Sequence, residues 1–600
     1  MGLAVFASDA LSSTAYATEE ILLVLILAGV GALSLSLPIA VVIIILLGVV
    51  TISYQQTIYA YPGGGGAYTV ARDNLGEAPA QIAGAALLTD YILTVSVSIS
   101  SGVAQITSAF PALYTLRIEI AVVFIIFMTI VNLRGVRESG KTFAVPTYIF
   151  LGMMLFTLFV GLYKYVTGTL GNVTGVEMAE HGLFTLTPFL VLRAFSSGCT
   201  ALTGIEAISN GVTAFKQPSS RNAAITLLWM SGILATMFLG ITLLAHQINA
   251  VPSHTETVIS QIGRTLYGSK SVLSLTLLGA TTLILIMAAN TSFADFPRLG
   301  AIQAGDRFLP KQLTFRGSRL VYSYGIVTLA VFSSLLIFLF GAQTTALIPL
   351  YAIGVFLSFT LSQTGMAVHW WRVGKLVPGD PVDAHRPTLL YDPRWRIKLI
   401  INGFGGICTA IVTVVFAVTK FVDGAWIVVL LIPLLVFLFY RIHNHYNHVS
   451  ARLSLDEFGA PPGIRRHRVI VPIGGVHRGV VIAMHYACSL SDDVTALFVS
   501  LDPVETEAIR KKWQRWGDGV RLKVVESPYR VLTEKIIECV DQLQAEQRPN
   551  EVLTIVVPRL IPQHWYDNLL HAQTARVLRR ALLGRKDIIV TDVPYQLRDK

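Results

Sequence analysis

The sequence has few charged residues and few cysteines. Asp, Glu, Lys and Arg make up 14% of its 600 residues, against roughly 25% in an average soluble domain. The cysteines, Cys199, Cys408, Cys488 and Cys539, lie far apart and form no CxxC pair. This spacing argues against a disulfide framework and against a zinc site. No Ser/His/Asp or Cys/His arrangement of an enzyme stands out either, so we expect neither an enzyme nor a bound cofactor.

Hydrophobic residues are abundant instead, at 53% of the chain. Crossing about 30 Å of hydrocarbon takes about 20 apolar residues, and twelve stretches fit this length. They lie near residues 3–29, 36–59, 78–111, 115–135, 142–166, 184–214, 222–247, 270–300, 321–341, 344–371, 397–419 and 424–442. The chain is therefore predicted to be a polytopic, all-α membrane protein. Its opening segment lacks a basic start and contains Asp9, so we expect no cleavable signal peptide.

Lys and Arg are distributed unequally between the loops of the two sides. One set of alternate loops carries most of them, whereas the other carries Arg117, Lys164, Arg264, Lys270 and Lys420. The positive-inside rule places the richer set, and with it both termini, in the cytoplasm. The net charge of +10 follows largely from those loops, so we expect no nucleic-acid partner.

The composition changes after about residue 442. Short β-branched runs alternate with helical stretches from Arg468 onward, which is typical of βαβ units and a parallel sheet. We predict a transmembrane domain at 1–444, a linker at 445–466 and a cytoplasmic α/β regulatory domain at 467–600.

Spans one and six are both interrupted by small polar residues, SDALSS at 8–13 and SSGCTALTG at 196–204. Interrupted spans in corresponding positions of two five-helix halves indicate a transporter site at the middle of the bilayer. We therefore expect both helices to be broken there.

Carboxylates occur within three otherwise apolar spans. A charge at that depth costs about 2.5–3.5 kcal/mol on insertion scales, so it is retained where something binds it. Asp9 and Tyr16 share a helix face with Ser12 and Ser13 between them, while Asp90, Thr94 and Ser98 form an i, i+4, i+8 stripe beside Tyr91. Thr203 and Glu206 follow the break in span six. Such oxygens can replace the water shell of a monovalent cation. For each hydroxyl, bonding to its own helix backbone is an equally good interpretation.

Glu206 has two interpretations, a third cation ligand or a carboxyl that loads and unloads a proton. We favour the proton, because three ionised carboxylates around one monovalent cation leave excess buried negative charge. Glu19 and Glu20 lie farther along the first helix and are expected in a solvated vestibule. An amino-acid permease is a weaker alternative, since Asp9 would repel a substrate carboxylate at the first break. A nucleotide sensor without transport is another.

Several strings resemble one family of transporters in order along the chain. They are ASDALSSTAYATEE at 7–20, YAYPGGGGAY at 59–68, LLTDYILTVSVSIS at 87–100, FSSGCTALTGIEAISN at 195–210 and AANTSFADFP at 288–297. Together they resemble the KimA-type potassium importers of the KUP family, within the amino acid-polyamine-organocation superfamily.

The resemblance implies a LeuT-like fold of two inverted five-helix repeats plus two further helices, and proton-coupled potassium import. It implies potassium-binding roles for Asp9, Tyr16, Asp90, Tyr91, Thr94, Ser98 and Thr203. Asp9 and Asp90 are the negatively charged ligands of the metal ion in this set, and Glu206 is the proton-coupling acid. It also implies a homodimer through the cytoplasmic domains and inhibition by cyclic di-AMP. Relatives carry an N-terminal extension, whereas eight residues precede Asp9 here.

Overall fold

The computed structural model describes residues 7–64, 66–135, 140–176, 178–179, 181–253, 255–269, 271–317, 321–377, 389–455, 463–464, 466–527, 532–548, 550–562, 574–585 and 588–596. The chain forms two compact units, Met1–Arg452 and Leu453–Lys600. The predicted domain limits, with a linker at 445–466, stay a prediction.

The first unit is helical, as expected. Its helices are α1 Ser8–Ser12, α2 Thr14–Leu25, α3 Ser36–Ala60, α4 Ala67–Asn74, α5 Glu77–Ala109, α6 Arg117–Leu133, α7 Gly140–Val166, α8 Pro188–Gly198, α9 Glu206–Asn210, α10 Ser219–Gln247, α11 Val258–Tyr267, α12 Val272–Gly305, α13 Ser323–Leu339, α14 Thr344–Val373, α15 Trp395–Thr419 and α16 Trp426–Arg452. The apolar composition of the long helices accounts for their burial in one another and in lipid.

Eleven helical segments of the described residues are long and apolar enough to span a membrane. The expected ninth span, at 321–341, is the helix α13. It has 17 residues and is shorter than each of the eleven segments. At 1.5 Å per residue it extends about 25 Å. The other eleven predicted spans each correspond to one of the long segments.

The order of the helices repeats within the membrane unit. An interrupted pair, α1 and α2, is followed by α3, the short α4, and then α5, α6 and α7. The pair α8 and α9 is followed in the same way by α10, the short α11, and then α12, α13 and α14. Helices α15 and α16 come after both halves. This is the five-plus-five arrangement with broken helices one and six that the sequence indicates, a LeuT-like fold.

The described residues of the second unit form a five-stranded parallel sheet. Its strands are β1 Arg466–Ile473, β2 Asp493–Ser500, β3 Arg521–Glu526, β4 Glu551–Ile561 and β5 Ile588–Gln596, in the order β3-β2-β1-β4-β5. The helices between them are α17 Arg478–Leu490, α18 Pro503–Trp516, α19 Leu532–Ala545 and α20 Thr574–Leu582.

Helices cover both faces of this sheet. Successive residues of β1 point to opposite faces, and apolar residues on each face pack against helices. Val469 packs with Trp513 of α18 on one face. Ile470 packs with Val540 of α19 and Leu578 of α20 on the other. The predicted α/β parallel-sheet domain is confirmed.

Candidate cation site

The sixth span is unwound at two residues. Helix α8 ends at Gly198, a 3-10 turn covers Cys199–Leu202, and α9 begins at Glu206. Thr203 between them is extended, with φ −68° and ψ 150°, and Gly204 has φ +82°. An L side chain rarely adopts that φ, which explains the glycine at this position.

The unwound segment lies directly against the first span. A Cβ at Gly204 would lie 2.7 Å from the amide nitrogen of Ala10 and 2.9 Å from Cγ of Asp9. These distances leave no room for a side chain. Spans one and six therefore meet at Asp9, about one turn before the interruption of the first span at Ser13.

The interruption in the first span is shallower. Ser13, between α1 and α2, keeps a helical φ of −62°. The Ser12 hydroxyl donates to the Asp9 carbonyl at 2.7 Å, and the Ser13 hydroxyl donates to the Ala10 carbonyl at 2.6 Å and to the Ala201 carbonyl at 3.1 Å. These two hydroxyls bond to backbone, the alternative that the sequence left open, and Ser13 also joins the two broken helices.

The three predicted carboxylates come together in the membrane unit. Asp9, Asp90 and Glu206 are 8%, 2% and 4% exposed, and Asp9 and Asp90 each interact electrostatically with Glu206 and with one another. Oδ1 of Asp90 and Oε2 of Glu206 are buried without a hydrogen-bond partner in the described residues. Buried polar atoms nearly always have a hydrogen-bond partner, so we expect these two oxygens to bind a cation or a proton.

Hydroxyl groups surround the carboxylates. Tyr16 and Tyr351 both contact the Thr203 hydroxyl and each other, and both tyrosines interact electrostatically with Asp9 and Asp90. Sequence reasoning missed Tyr351, which lies in an apolar stretch without a neighbouring acid. Thr94 and Ser98 are buried on α5, one and two turns beyond Asp90.

Tyr91 differs from the other predicted ligands. Its hydroxyl accepts a hydrogen bond from Nδ2 of Asn210 at 3.1 Å, and its strongest electrostatic neighbour is Asp295 rather than Asp90. It therefore lies at the edge of the cluster, next to the end of α9.

Asp295 is a fourth acid that sequence reasoning missed. It lies on α12, interacts electrostatically with Asp9 and Glu206, and pairs with Arg298 at 3.8 Å. The string AANTSFADFP contains it, but the spacing alone gave no reason to place it near the other acids.

Gly354 sets the approach of α14 to α5. A Cβ at this position would lie 3.0 Å from the Ala86 carbonyl oxygen and 3.6 Å from Cβ of Asp90. The two helices pack closely there, which excludes bulk solvent from one side of Asp90 and brings Tyr351, one turn earlier on α14, to the carboxylates.

Glu20 does not lie in a solvated vestibule, contrary to expectation. It is 4% exposed, as is Lys420, with which it interacts electrostatically. Lys420 lies 3.7 Å from Asp423, which forms a bidentate pair with Arg193 at 2.6 Å. These four residues, called here the outer ion network, connect α2 and α8 with the segment between α15 and α16. Glu19 lines a pocket together with Arg117 and Glu256, and it accepts a hydrogen bond from the Val258 amide.

The whole chain is similar to one characterised transporter. The potassium transporter KimA of Bacillus subtilis (strain 168) is 43% identical over 597 residues, which cover 99% of this chain and 95% of the relative. The family model for the KimA potassium transporter C-terminal domain matches residues 465–595. This chain belongs to the KimA family. The resemblance drawn from the sequence motifs is thereby confirmed, and the KimA-type tail coincides with the parallel sheet of the second unit.

The membrane unit of this KimA-family chain also matches a broader family. The amino acid permease model covers residues 5–440. A chloroplastic cationic amino acid transporter 7 of Arabidopsis thaliana is 29% identical over 185 residues, 28% of this chain and 30% of that protein. A crystal structure of the Eremococcus coleocola manganese transporter, with an aromatic bis-isothiourea compound, gives a TM-score of 0.37 at 13% identity, over 75% of this chain and 96% of that one.

Proposed function

We propose that this protein imports potassium together with protons across the bacterial cytoplasmic membrane, by alternating access to a site at the middle of the bilayer. The family relative is named a potassium transporter. The observation that carries the proposal is the buried group of Asp9, Asp90 and Glu206, two of which present an oxygen without a hydrogen-bond partner in the described part of the chain.

In this proposal Asp9 and Asp90 neutralise the potassium charge. Oxygens of the neighbouring side chains replace its hydration shell, as in other alkali-cation sites. The proposed ligands beside the two carboxylates are Tyr16, Tyr91, Thr94, Ser98 and Thr203. The extended backbone at Thr203 takes its carbonyl group out of the helical hydrogen-bond pattern, and this carbonyl is a further proposed donor.

Glu206 is proposed as the proton carrier. It lies immediately after the unwound segment and interacts electrostatically with Asp90 and Asp295. Protonation of Glu206 leaves two carboxylates, Asp9 and Asp90, around the cation and removes the excess buried negative charge, so in this proposal the proton and the potassium ion are bound and released together.

Rubidium flux into proteoliposomes that contain this protein alone tests the proposal. We expect an inward proton gradient to drive rubidium accumulation by the wild type. The Glu206→Gln variant should still bind rubidium but lose the dependence on the gradient. Asp392→Asn, a change outside the spans at a carboxylate paired with Lys398, serves as the control. If rubidium uptake by the wild type were the same with and without the proton gradient, proton coupling would be rejected.

The amino acid permease match supports a second candidate, an amino-acid transporter. Competition separates the two functions. Excess leucine or glutamate should leave rubidium uptake unchanged if the substrate is a metal cation. Inhibition by either amino acid would favour the permease.

The second unit is proposed as a regulatory domain that forms the homodimer and receives cyclic di-AMP, as the family resemblance implies. A sensor without transport would give no rubidium flux in the same proteoliposomes. Cyclic di-AMP added on the side of the second unit should reduce the flux of a transporter.

A further inference from the structure

An apolar groove runs along the outside of the helix that carries Asp90. It has a volume of about 370 Å³ and lies between α5, α12, α13 and α16. Its walls include Leu93, Phe296, Phe332, Leu335, Leu431 and Phe439. Phe332 and Leu335 are each 48% exposed, so the groove opens at the surface of the helical bundle, which in a membrane is the lipid phase.

The length of the groove fits one leaflet. Its contacts on α16 extend from Ile427 to Phe439, which corresponds to about 18 Å along a helix. Half of the hydrocarbon core measures about 15 Å. The groove therefore has the length of a single acyl chain and crosses little more than one leaflet.

Cations surround one end of the groove. Leu309 and Leu313 line it, and Lys311 between them is exposed. Phe308 stacks on His443 at 4.2 Å, which fixes this segment against α16. Arg307 contacts Asn447 and Lys311 lies over the ring of Tyr446.

Arg441, one turn beyond the groove residue Leu438, is also exposed. The acids nearest this end do not cancel the charge. Asp306 already accepts hydrogen bonds from Tyr68 and Arg72, and Glu77 beside Tyr440 supplies a single negative charge against three cations. Arg307, Lys311 and Arg441, called here the basic rim, thus present positive charge on the side that the loop charges assign to the cytoplasm. Anionic lipids concentrate in that leaflet.

We propose that this groove is a binding site for one anionic phospholipid of the cytoplasmic leaflet, with an acyl chain along α16 and its phosphate at the basic rim. The apolar walls recognise the chain, and the rim selects the negative headgroup. Thr89, Ile92 and Leu93 of the groove lie on the same turns of α5 as Asp90. A bound lipid therefore supports the helix at the cation site.

Native mass spectrometry of the purified full chain tests the site, with phosphatidylglycerol or phosphatidylcholine of the same acyl chains added. We expect the wild type to retain phosphatidylglycerol preferentially. Leu431→Trp fills the groove and should abolish this retention. Leu434→Trp is the matched control, because Leu434 is 61% exposed on the same helix and does not line the groove.

The rim is tested separately, with variants that leave the apolar walls of the groove unchanged. Lys311→Gln and Arg441→Gln should each weaken phosphatidylglycerol binding about fivefold, since one cation near an anionic lipid contributes about 1 kcal/mol. Phosphatidylcholine binding should not change. Equal retention of the two lipids by the wild type, or full retention by Leu431→Trp, would overturn the proposal. If Leu431→Trp lost the dimer but kept the lipid, the proposal would also be overturned. The groove would then be a contact with a second copy of the chain.

Discussion

Oδ1 of Asp90 and Oε2 of Glu206 are buried and lack a hydrogen-bond partner in the described residues. An unsatisfied buried polar group costs about 1–3 kcal/mol, and a charged one costs more. A protein retains such atoms where a ligand compensates them. At the scale of single residues, this is the argument for a cation between the carboxylates.

Replacing either aspartate by asparagine removes charge but keeps the shape. We expect Asp9→Asn and Asp90→Asn each to reduce potassium uptake at least about tenfold, which corresponds to about 1.4 kcal/mol. Growth of a potassium-uptake-deficient bacterium at low external potassium measures this, with membrane expression checked by immunoblot. Asp392→Asn should grow like the wild type. Normal growth of both site variants would reject the assignment.

The acids of the site could be predicted one at a time because a carboxylate in an apolar span is expensive. Tyr351 and Asp295 could not. A tyrosine in an apolar helix is unremarkable in sequence, and Asp295 lies close to Arg298, which suggests a surface pair. Their place in the site comes from the packing of α14 and α12, which local sequence does not encode.

At the scale of elements, Gly204 decides how the two broken helices meet. Its positive φ and its contacts with Ala10 and Asp9 exclude any side chain. The polar, small residues around it predicted a break, but not that the sixth span unwinds while the first is only distorted. That difference depends on the contact between the two spans.

The Gly204→Ala substitution should therefore impair transport severely. A non-glycine residue at such a φ costs about 1–3 kcal/mol, and its Cβ would also push against Asp9. Rubidium flux in proteoliposomes measures the effect. Gly232→Ala on α10 is the control, because a Cβ at Gly232 would meet no atom of the described residues within 4 Å. Unchanged flux in Gly204→Ala would mean that the contact between the two spans is dispensable.

The outer ion network also connects separate helices of the membrane unit. Lys420 and Glu20 are 400 positions apart in the chain, so no periodicity or spacing could pair them. In the structure Lys420 interacts with Glu20 and lies 3.7 Å from Asp423. Removing one member leaves a buried charge uncompensated, which is more costly than removing both.

Lys420→Met should accordingly destabilise the protein by about 3 kcal/mol, and the double variant Glu20→Gln with Lys420→Met should be less affected. Thermal unfolding in detergent compares them. Lys535→Met removes an exposed pair with Glu538 and should change stability by less than about 1 kcal/mol. If the double variant proved less stable than Lys420→Met, the two charges would not compensate each other.

At the scale of the whole molecule, the repeat was predicted from the positions of two interrupted spans. The short helices α4 and α11, in equivalent places of the two halves, were not predicted, because each is brief and lies between long apolar stretches that dominate the sequence signal. The alternation of strands and helices after Arg468 was enough to predict the parallel sheet. The strand order was not, since it depends on crossovers between distant segments.

The orientation of the membrane unit is a prediction from loop charge. We expect an impermeant maleimide to label Ser269→Cys in intact cells, and Ser454→Cys only after permeabilisation, in a background with the native cysteines changed to serine. Ser269 precedes α12 and Ser454 follows α16, so the two report opposite faces of the membrane. Labelling of Ser454→Cys in intact cells would reverse the orientation.

Anomalous scattering from crystals of the protein grown in rubidium shows whether a monovalent cation lies between Asp9 and Asp90. We expect an anomalous peak in contact with both carboxylates in the wild type, and its loss in Asp90→Asn. A site that is empty of rubidium in the wild type, with the two side chains facing water or lipid, would contradict it.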